Sequence, residues 1–111
     1  MYIDWHAERE EALGRLGRML RFNTVNPPGD ELALARELAS EAASWGVECD
    51  VLVSAEKRGN LVVRLRGDGS QRPLLLLSHL DVVPAEPDKW RYPPFAGMRS
   101  EGFMWGRGAI D

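Results

Sequence analysis

Two side chains, His79 and Asp81, stand two residues apart directly after a run of four leucines at 74–77. In an extended chain, residues two apart face the same side at a spacing of about 6.5 Å. A zinc-bound imidazole normally donates the hydrogen of its other ring nitrogen to a carboxylate, which fixes its tautomer and orientation. The spacing therefore suits a metal ligand, His79, oriented by Asp81. A histidine that caps a strand and an aspartate that begins a turn would give the same pattern.

The supply of other metal ligands is small. Cys49 is the single cysteine, so neither an intrachain disulfide nor a cysteine-based zinc site can form. Cys49 alternates with apolar strand residues and is expected to act as a small buried hydrophobe. His6 is the second of only two histidines and lies among charged residues, where a solvated side chain is expected. Any metal site must therefore rely largely on carboxylates.

Two amphipathic helices are predicted before these residues. Apolar side chains recur at helical spacing from about residue 4 to residue 21. A break containing two prolines follows, and the second helix begins at Asp30. Gly46 stands where a left-handed C-terminal cap is usual, so the second helix is expected to end there.

The hydrophobic period changes to two after Gly46, which predicts a sheet. Two stretches alternate between apolar and polar residues and are expected to be strands with one buried face, centred on Val51 and Val63. The run 74–77 is apolar at consecutive positions, which a strand tolerates only when both of its faces are covered. We therefore expect an incomplete α/β domain in which two helices precede a sheet with a buried central strand. A further short strand is expected at Phe103–Trp105.

The composition excludes several classes of partner. The 111 residues give room for one domain, and 14 Lys and Arg against 17 Asp and Glu leave a net charge of −3. Both signs are interspersed, so no basic surface for nucleic acid or anionic lipid is indicated. The leucine run is far shorter than the roughly 20 residues of a membrane span, and the first residues lack the pattern of a signal peptide. We expect a cytoplasmic protein without nucleic-acid or membrane partners.

Several spaced motifs together resemble one enzyme family. From residue 74 to residue 111 the chain is similar to the M20 family of zinc peptidases and amidohydrolases, which includes acetylornithine deacetylase, succinyl-diaminopimelate desuccinylase and aminoacylase. The matching residues are Ser78-His79-Leu80-Asp81-Val82-Val83-Pro84, Trp90, Pro94-Phe95, Gly102 and Gly106-Arg107-Gly108-Ala109-Ile110-Asp111. The resemblance implies that residues 1–111 are the N-terminal portion of an M20 catalytic domain.

The resemblance also implies roles for individual residues. His79 would bind zinc, Asp81 would be the catalytic carboxylate that orients His79, and Asp111 would bridge two zinc ions. Cobalt or manganese would suit the same ligands. Gly106, Arg107 and Gly108 would shape the loop that delivers Asp111, and the aromatic residues near it would pack that loop. The implied substrate is an N-acyl amino acid or small peptide, hydrolysed by metal-activated water, and the complete enzyme would be a candidate homodimer.

The family motifs that supply the rest of the site have no counterpart among the 111 residues. In the family, a Glu-Glu pair, a further carboxylate and a final histidine follow the bridging aspartate. The general base and most ligands of a catalytic zinc are therefore missing, so we expect the chain to be inactive by itself. The alternative is a non-catalytic small α/β module or a non-functional truncated product.

Two other motif interpretations fit less well. The spacing Gly106-x-Gly108-x-x-Asp111 begins like a dinucleotide fingerprint, but an aspartate stands in place of the third glycine and would repel a pyrophosphate. Ser78 next to His79 suggests a nucleophile and its base. Adjacent strand residues point to opposite faces, however, so no catalytic hydrogen bond between Ser78 and His79 is expected.

Overall fold

The computed structural model describes all 111 residues and divides them into two compact units. One unit comprises Met1–Pro27 and Val82–Asp111, and the other comprises Pro28–Asp81. The elements, in chain order, are α1 (Trp5–Met19), α2 (Glu31–Ser44), β1 (Glu48–Ala55), β2 (Arg58–Arg64), a single 3₁₀ turn (Pro87–Lys89), β3 (Met98–Ser100) and β4 (Phe103–Trp105). Two helices followed by small antiparallel sheets confirm the α/β class. Neither helix is long and apolar enough to span a bilayer.

Helix α1 begins as its sequence predicts. The Asp4 carboxylate accepts hydrogen bonds from the backbone N–H groups of His6 and Ala7 at 3.0 and 3.2 Å. These donors would otherwise have no partner in the first turn, and a side-chain cap stabilises a helix by roughly 1 kcal/mol. At the other end, Leu20 is 5% exposed and forms part of the core of this unit.

A short hairpin packs in the same unit as α1. Strands β3 and β4 pair antiparallel, and the short strand expected at Phe103–Trp105 is confirmed as β4. Glu101 and Gly102 join the strands with φ of 56° and 80°, as in a type I′ turn. The Arg99 guanidinium donates to Glu10 of α1 at 2.9 Å and holds the pKa of that carboxyl below its usual value. This ion pair ties the hairpin to α1.

The second unit consists mainly of α2 packed on the hairpin of β1 and β2. Its core is apolar and small, with Leu34, Ala35 and Ala42 each no more than 5% exposed. The Cys49 thiol donates to the carbonyl oxygen of Ala39 in α2 at 3.5 Å, so Cys49 faces the helix, but it is half-buried and not fully buried as predicted. Cys49 and Val51 are half-buried, whereas Val53 and Val63 are 59% and 46% exposed, so the predicted buried face of the two strands is covered only in part.

The leucine run 74–77 differs from the prediction of a buried central strand. These four residues belong to neither sheet, and each is at least 81% exposed. A run that is apolar on both faces becomes buried only where neighbouring strands and helices cover it. Within its own unit, β1 and β2 pair with each other alone, and they leave the run without that cover. The prediction of burial is thus wrong for these 111 residues, whereas the α/β class is correct.

Candidate metal centre

The site is built around His79, whose ring is held by Asp81. The Nδ1 atom of His79 lies 2.7 Å from the backbone carbonyl oxygen of Asp81 and 3.2 Å from its carboxylate Oδ1. The His79 side chain is 61% exposed and that of Asp81 is 32% exposed. The structure therefore brings these two predicted residues together, and it adds a backbone acceptor that the sequence pattern did not indicate.

The two acceptors define the tautomer of the His79 ring. A backbone carbonyl oxygen can only accept a hydrogen bond, so Nδ1 must carry the hydrogen that it donates at 2.7 Å. In the neutral ring, the lone pair then resides on Nε2. A metal ligand needs such a lone pair, and ligating histidines usually donate the hydrogen of the other nitrogen in this way. The arrangement of His79 thus fits a metal ligand that binds through Nε2.

We expect NMR to detect this tautomer directly. In the 111-residue chain at a pH where the ring is neutral, the ¹⁵N shifts of His79 should identify Nδ1 as the protonated nitrogen. His6 is the matched control, because its side chain is exposed on the surface of α1. We expect His6 to have a mixture of tautomers. A His79 ring protonated at Nε2 would contradict the geometry described here.

Asp111 follows a tight turn in the other unit. The Ala109 N–H donates to the Gly106 carbonyl oxygen at 3.2 Å, and Gly108 has a φ of 91°. A hydrogen-bonded turn with positive φ at its third residue has type II geometry, which favours glycine at that position. A Cβ atom on Gly108 would lie 2.8 Å from Val82 Cγ1, so the missing side chain also permits close packing.

Val82, which this turn contacts, is itself fixed by backbone hydrogen bonds. Its N–H donates to Thr24 at 3.2 Å, and its carbonyl oxygen accepts from the Asn26 N–H at 2.9 Å. Val82 and Val25 thereby form a parallel bridge. The turn before Asp111 therefore packs against Val82, which directly follows Asp81 in the sequence and is fixed by two backbone hydrogen bonds.

The residues present fit part of a metal centre. A neutral imidazole with its lone pair on Nε2 and a carboxylate are both ordinary zinc ligands. In neither unit do three His, Cys, Asp or Glu side chains gather as a metal site. His79 and Asp111 belong to different units, so their convergence on one metal stays a prediction. His79 would be one ligand of the metal, and Asp111 a second.

One contact next to the predicted site, between Arg107 and Trp90, was not predicted from the sequence. The guanidinium carbon of Arg107 lies 5.2 Å from the centre of the Trp90 ring, in the geometry of a cation–π contact. Trp90 therefore packs the loop, as expected, but its partner was not foreseen. An arginine between two glycines and a tryptophan 17 residues earlier were the only signals in the sequence, and spacing alone does not pair them.

Comparison with known proteins agrees with the motifs. Residues 75–111 match the model of Peptidase family M20/M25/M40. This match covers the segment that holds both His79 and Asp111. The resemblance seen in the sequence is thereby confirmed for this segment, which is similar to M20-family hydrolases of amide bonds.

Individual relatives extend the similarity beyond that segment. The chain is 39% identical to succinyl-diaminopimelate desuccinylase of Paracoccus denitrificans over 85% of its own length and 24% of the relative. It is 35% identical to aminoacylase-1 of Sus scrofa over 83% of its length and 23% of the relative. It is 50% identical to the mouse N-fatty-acyl-amino acid synthase/hydrolase PM20D1 over 40% of its length and 9% of the relative. The chain thus spans a quarter or less of these relatives.

Proposed function

We propose that this chain supplies one histidine ligand and one bridging carboxylate to the metal centre of an M20 hydrolase. The complete hydrolase, meaning these 111 residues together with the remaining M20 sequence, would cleave the amide bond of an N-acyl amino acid or small peptide. His79 is the proposed ligand, Asp81 orients it, and Asp111 bridges two metal ions. The observation that carries the proposal is the contact of His79 Nδ1 with the backbone carbonyl oxygen and the carboxylate Oδ1 of Asp81.

The chemistry of these side chains supports the assigned roles. Donation from Nδ1 to Asp81 keeps the lone pair on Nε2 and stops the ring from rotating. The negative charge of the Asp81 carboxylate also makes the imidazole a better electron donor. A carboxylate such as Asp111 has two oxygens and can therefore face two cations at once. Zinc held by these residues would supply a Lewis acid that polarises the amide carbonyl and lowers the pKa of water.

Amide hydrolysis needs a further group that the chain does not offer in the family position. Water adds to the carbonyl carbon, the C–N bond breaks, and the leaving amine takes up a proton. A general base within hydrogen-bond reach must accept the proton from water, and in this family a glutamate after the bridging aspartate does so. We therefore assign the activity to the complete hydrolase.

The substrate class, partners and location are part of this proposal. Succinyl-diaminopimelate desuccinylase and aminoacylase-1 bear names that describe removal of an acyl group, and PM20D1 is named for N-fatty-acyl amino acids. An N-acyl amino acid is the substrate that these names have in common. We propose such a small molecule as the substrate, zinc as the metal with cobalt or manganese as substitutes, the cytoplasm as the location, and a homodimer as the complete enzyme.

The role of Asp81 is tested by the substitution Asp81→Asn in the complete hydrolase. Asparagine keeps the backbone carbonyl at 2.7 Å but removes the charge of the carboxylate at 3.2 Å. Loss of a group that orients a metal ligand typically costs 10–100-fold in metal affinity or activity. Because the backbone acceptor remains, we expect a loss near the lower limit, about tenfold, in zinc affinity measured by calorimetry.

The matched control for this substitution is Asp50→Asn, which changes an exposed aspartate on β1 in the same unit. We expect the Asp50→Asn variant to bind zinc like the unchanged protein. Equal zinc affinities for the Asp81→Asn variant and the unchanged protein would show that the Asp81 carboxylate does not orient the metal ligand.

The isolated chain of 111 residues provides a separate test. Catalytic zinc sites use about three protein ligands and keep one open position. Since neither unit gathers three such side chains, we expect weak zinc binding and no hydrolysis of N-acetyl amino acids in zinc-supplemented buffer. Titration calorimetry and an assay of amine release measure both properties. Tight binding of two zinc ions, or turnover that His79→Ala abolishes, would contradict this expectation.

A further inference from the structure

Arg107, which packs over the Trp90 ring, stands four residues before the proposed bridging ligand Asp111 in the chain. The guanidinium carbon of Arg107 is 5.2 Å from the centre of the Trp90 ring. The Arg107 backbone N–H donates to the carbonyl oxygen of Pro94, a buried residue, at 2.8 Å. Arg107 is thus attached to the 90–94 segment twice, once through its side chain and once through its main chain.

The side chain of Arg107 is held by the ring face and not by a hydrogen bond from Nε. That nitrogen is buried and has no hydrogen-bond partner in the structure. A planar guanidinium can stack on an aromatic ring and leave Nε in the plane between the packed groups. The main chain of Trp90 is itself anchored, because its backbone N–H donates to the carbonyl oxygen of Pro87 at 3.0 Å, where the 3₁₀ turn ends. The ring therefore provides a fixed surface for Arg107.

Arg107 also occupies the second position of the turn that leads to Asp111. Its neighbours in the turn are packed closely on both sides. A Cβ atom on Gly106 would lie 2.9 Å from Leu20 Cδ1, and one on Gly108 would lie 2.8 Å from Val82 Cγ1. Neither glycine has room for a side chain, and Arg107 lies between them in the same turn, so the orientation of Arg107 and the direction of the chain toward Asp111 are coupled.

We propose that Arg107 is a positioning residue, which by stacking on Trp90 fixes the turn that presents the Asp111 carboxylate to the metal. This inference rests on the proposed function, in which Asp111 bridges two metal ions. Arg107 touches neither the metal nor the substrate in this role. The stacked pair acts through the turn, and its loss would leave the ligands in place but the bridge poorly oriented.

The test is a zinc titration of the metal-free complete hydrolase with three variants. Arg107→Met keeps an unbranched side chain of similar reach but removes the charge and the plane. Trp90→Leu removes the ring face, and Trp90→Phe keeps one. We expect Arg107→Met and Trp90→Leu each to weaken binding of the second, more weakly held zinc ion by about 10–100-fold, as for other groups that orient a metal ligand. The Trp90→Phe variant should bind zinc with an affinity within a few-fold of that of the unchanged protein.

A double variant separates positioning from independent effects. If Arg107 and Trp90 act as one pair, Arg107→Met combined with Trp90→Leu should weaken zinc binding no further than either change alone. The matched control is Arg91→Met, because Arg91 lies 5.8 Å over the Tyr92 ring in the same unit but outside the turn. Arg91→Met should leave both zinc equivalents unchanged.

The outcomes distinguish this inference from the proposed function. Unchanged zinc affinity in the Arg107→Met variant, or a lowered thermal midpoint without a change in zinc affinity, would overturn the positioning role. Failure of Trp90→Phe to restore binding would do the same. If His79→Ala also left zinc binding intact, the proposed function itself would fail. Loss of binding in His79→Ala with normal binding in Arg107→Met would overturn the positioning role alone.

Discussion

Replacing His79 by alanine in the complete hydrolase will abolish tight zinc binding and lower kcat/KM by more than about 100-fold. Substitution of a group that only orients a metal ligand typically lowers metal affinity or activity by about 10–100-fold, and removal of the ligand itself should cause a larger loss. The His79 ring contributes little to the core, since its side chain is 61% exposed. The loss should therefore leave the thermal midpoint of the metal-free protein nearly unchanged. Calorimetric zinc titration and steady-state kinetics measure the two effects.

The chain contains its own control for this prediction. His6, the second histidine, lies exposed on α1, where only its backbone N–H is used by the Asp4 cap. His6→Ala keeps that N–H and should leave zinc affinity and kcat/KM at the values of the unchanged protein. Similar losses in both variants, or full activity of the His79→Ala variant, would show that His79 is not a ligand.

Replacing Asp111 by asparagine should have an effect of similar size, more than about 100-fold in kcat/KM. An amide has one oxygen that can bind a cation, and its nitrogen carries two hydrogens in place of the second oxygen. Asparagine can therefore bind one metal ion but cannot bridge two. We expect metal analysis of the Asp111→Asn variant to find about one tightly bound zinc per chain in place of two.

Asp88→Asn is the control for Asp111→Asn, because Asp88 is an exposed aspartate of the same unit, in the 3₁₀ turn. It should retain two zinc ions and full activity. Two tightly bound zinc ions in the Asp111→Asn variant would exclude the bridging role, whatever its kinetics.

The features that the sequence predicted correctly depend on residues close together in the chain. The start of α1 near residue 4 and the end of α2 before the left-handed Gly46, with a φ of 72°, depend on contacts within one turn. The contact between His79 and Asp81 is equally local, because one residue separates them in the chain, although neither lies in a strand of the structure. The nearer acceptor, however, is the backbone oxygen of Asp81, whose direction depends on dihedral angles that spacing does not define.

The features that the sequence did not predict depend on distant partners. Burial of the leucine run 74–77 requires strands on both sides. Its hydrophobicity indicates that it needs cover but does not show which segments would provide it. The turn between β1 and β2 was missed because Lys57, with a φ of 60°, takes a backbone conformation for which glycine is the usual signal. Stacking of Arg107 on Trp90 likewise joins residues that only the fold brings together.

The most direct test of His79 as a metal ligand is a crystal structure of the zinc-loaded complete hydrolase, with diffraction data collected at the zinc absorption edge. We predict an anomalous peak about 2.0–2.1 Å from His79 Nε2, while Nδ1 keeps its contacts with Asp81. A second peak should share the Asp111 carboxylate with the first. Zinc bound elsewhere, with His79 Nε2 remote from it, or zinc bound to Nδ1 in place of Asp81, would contradict the account.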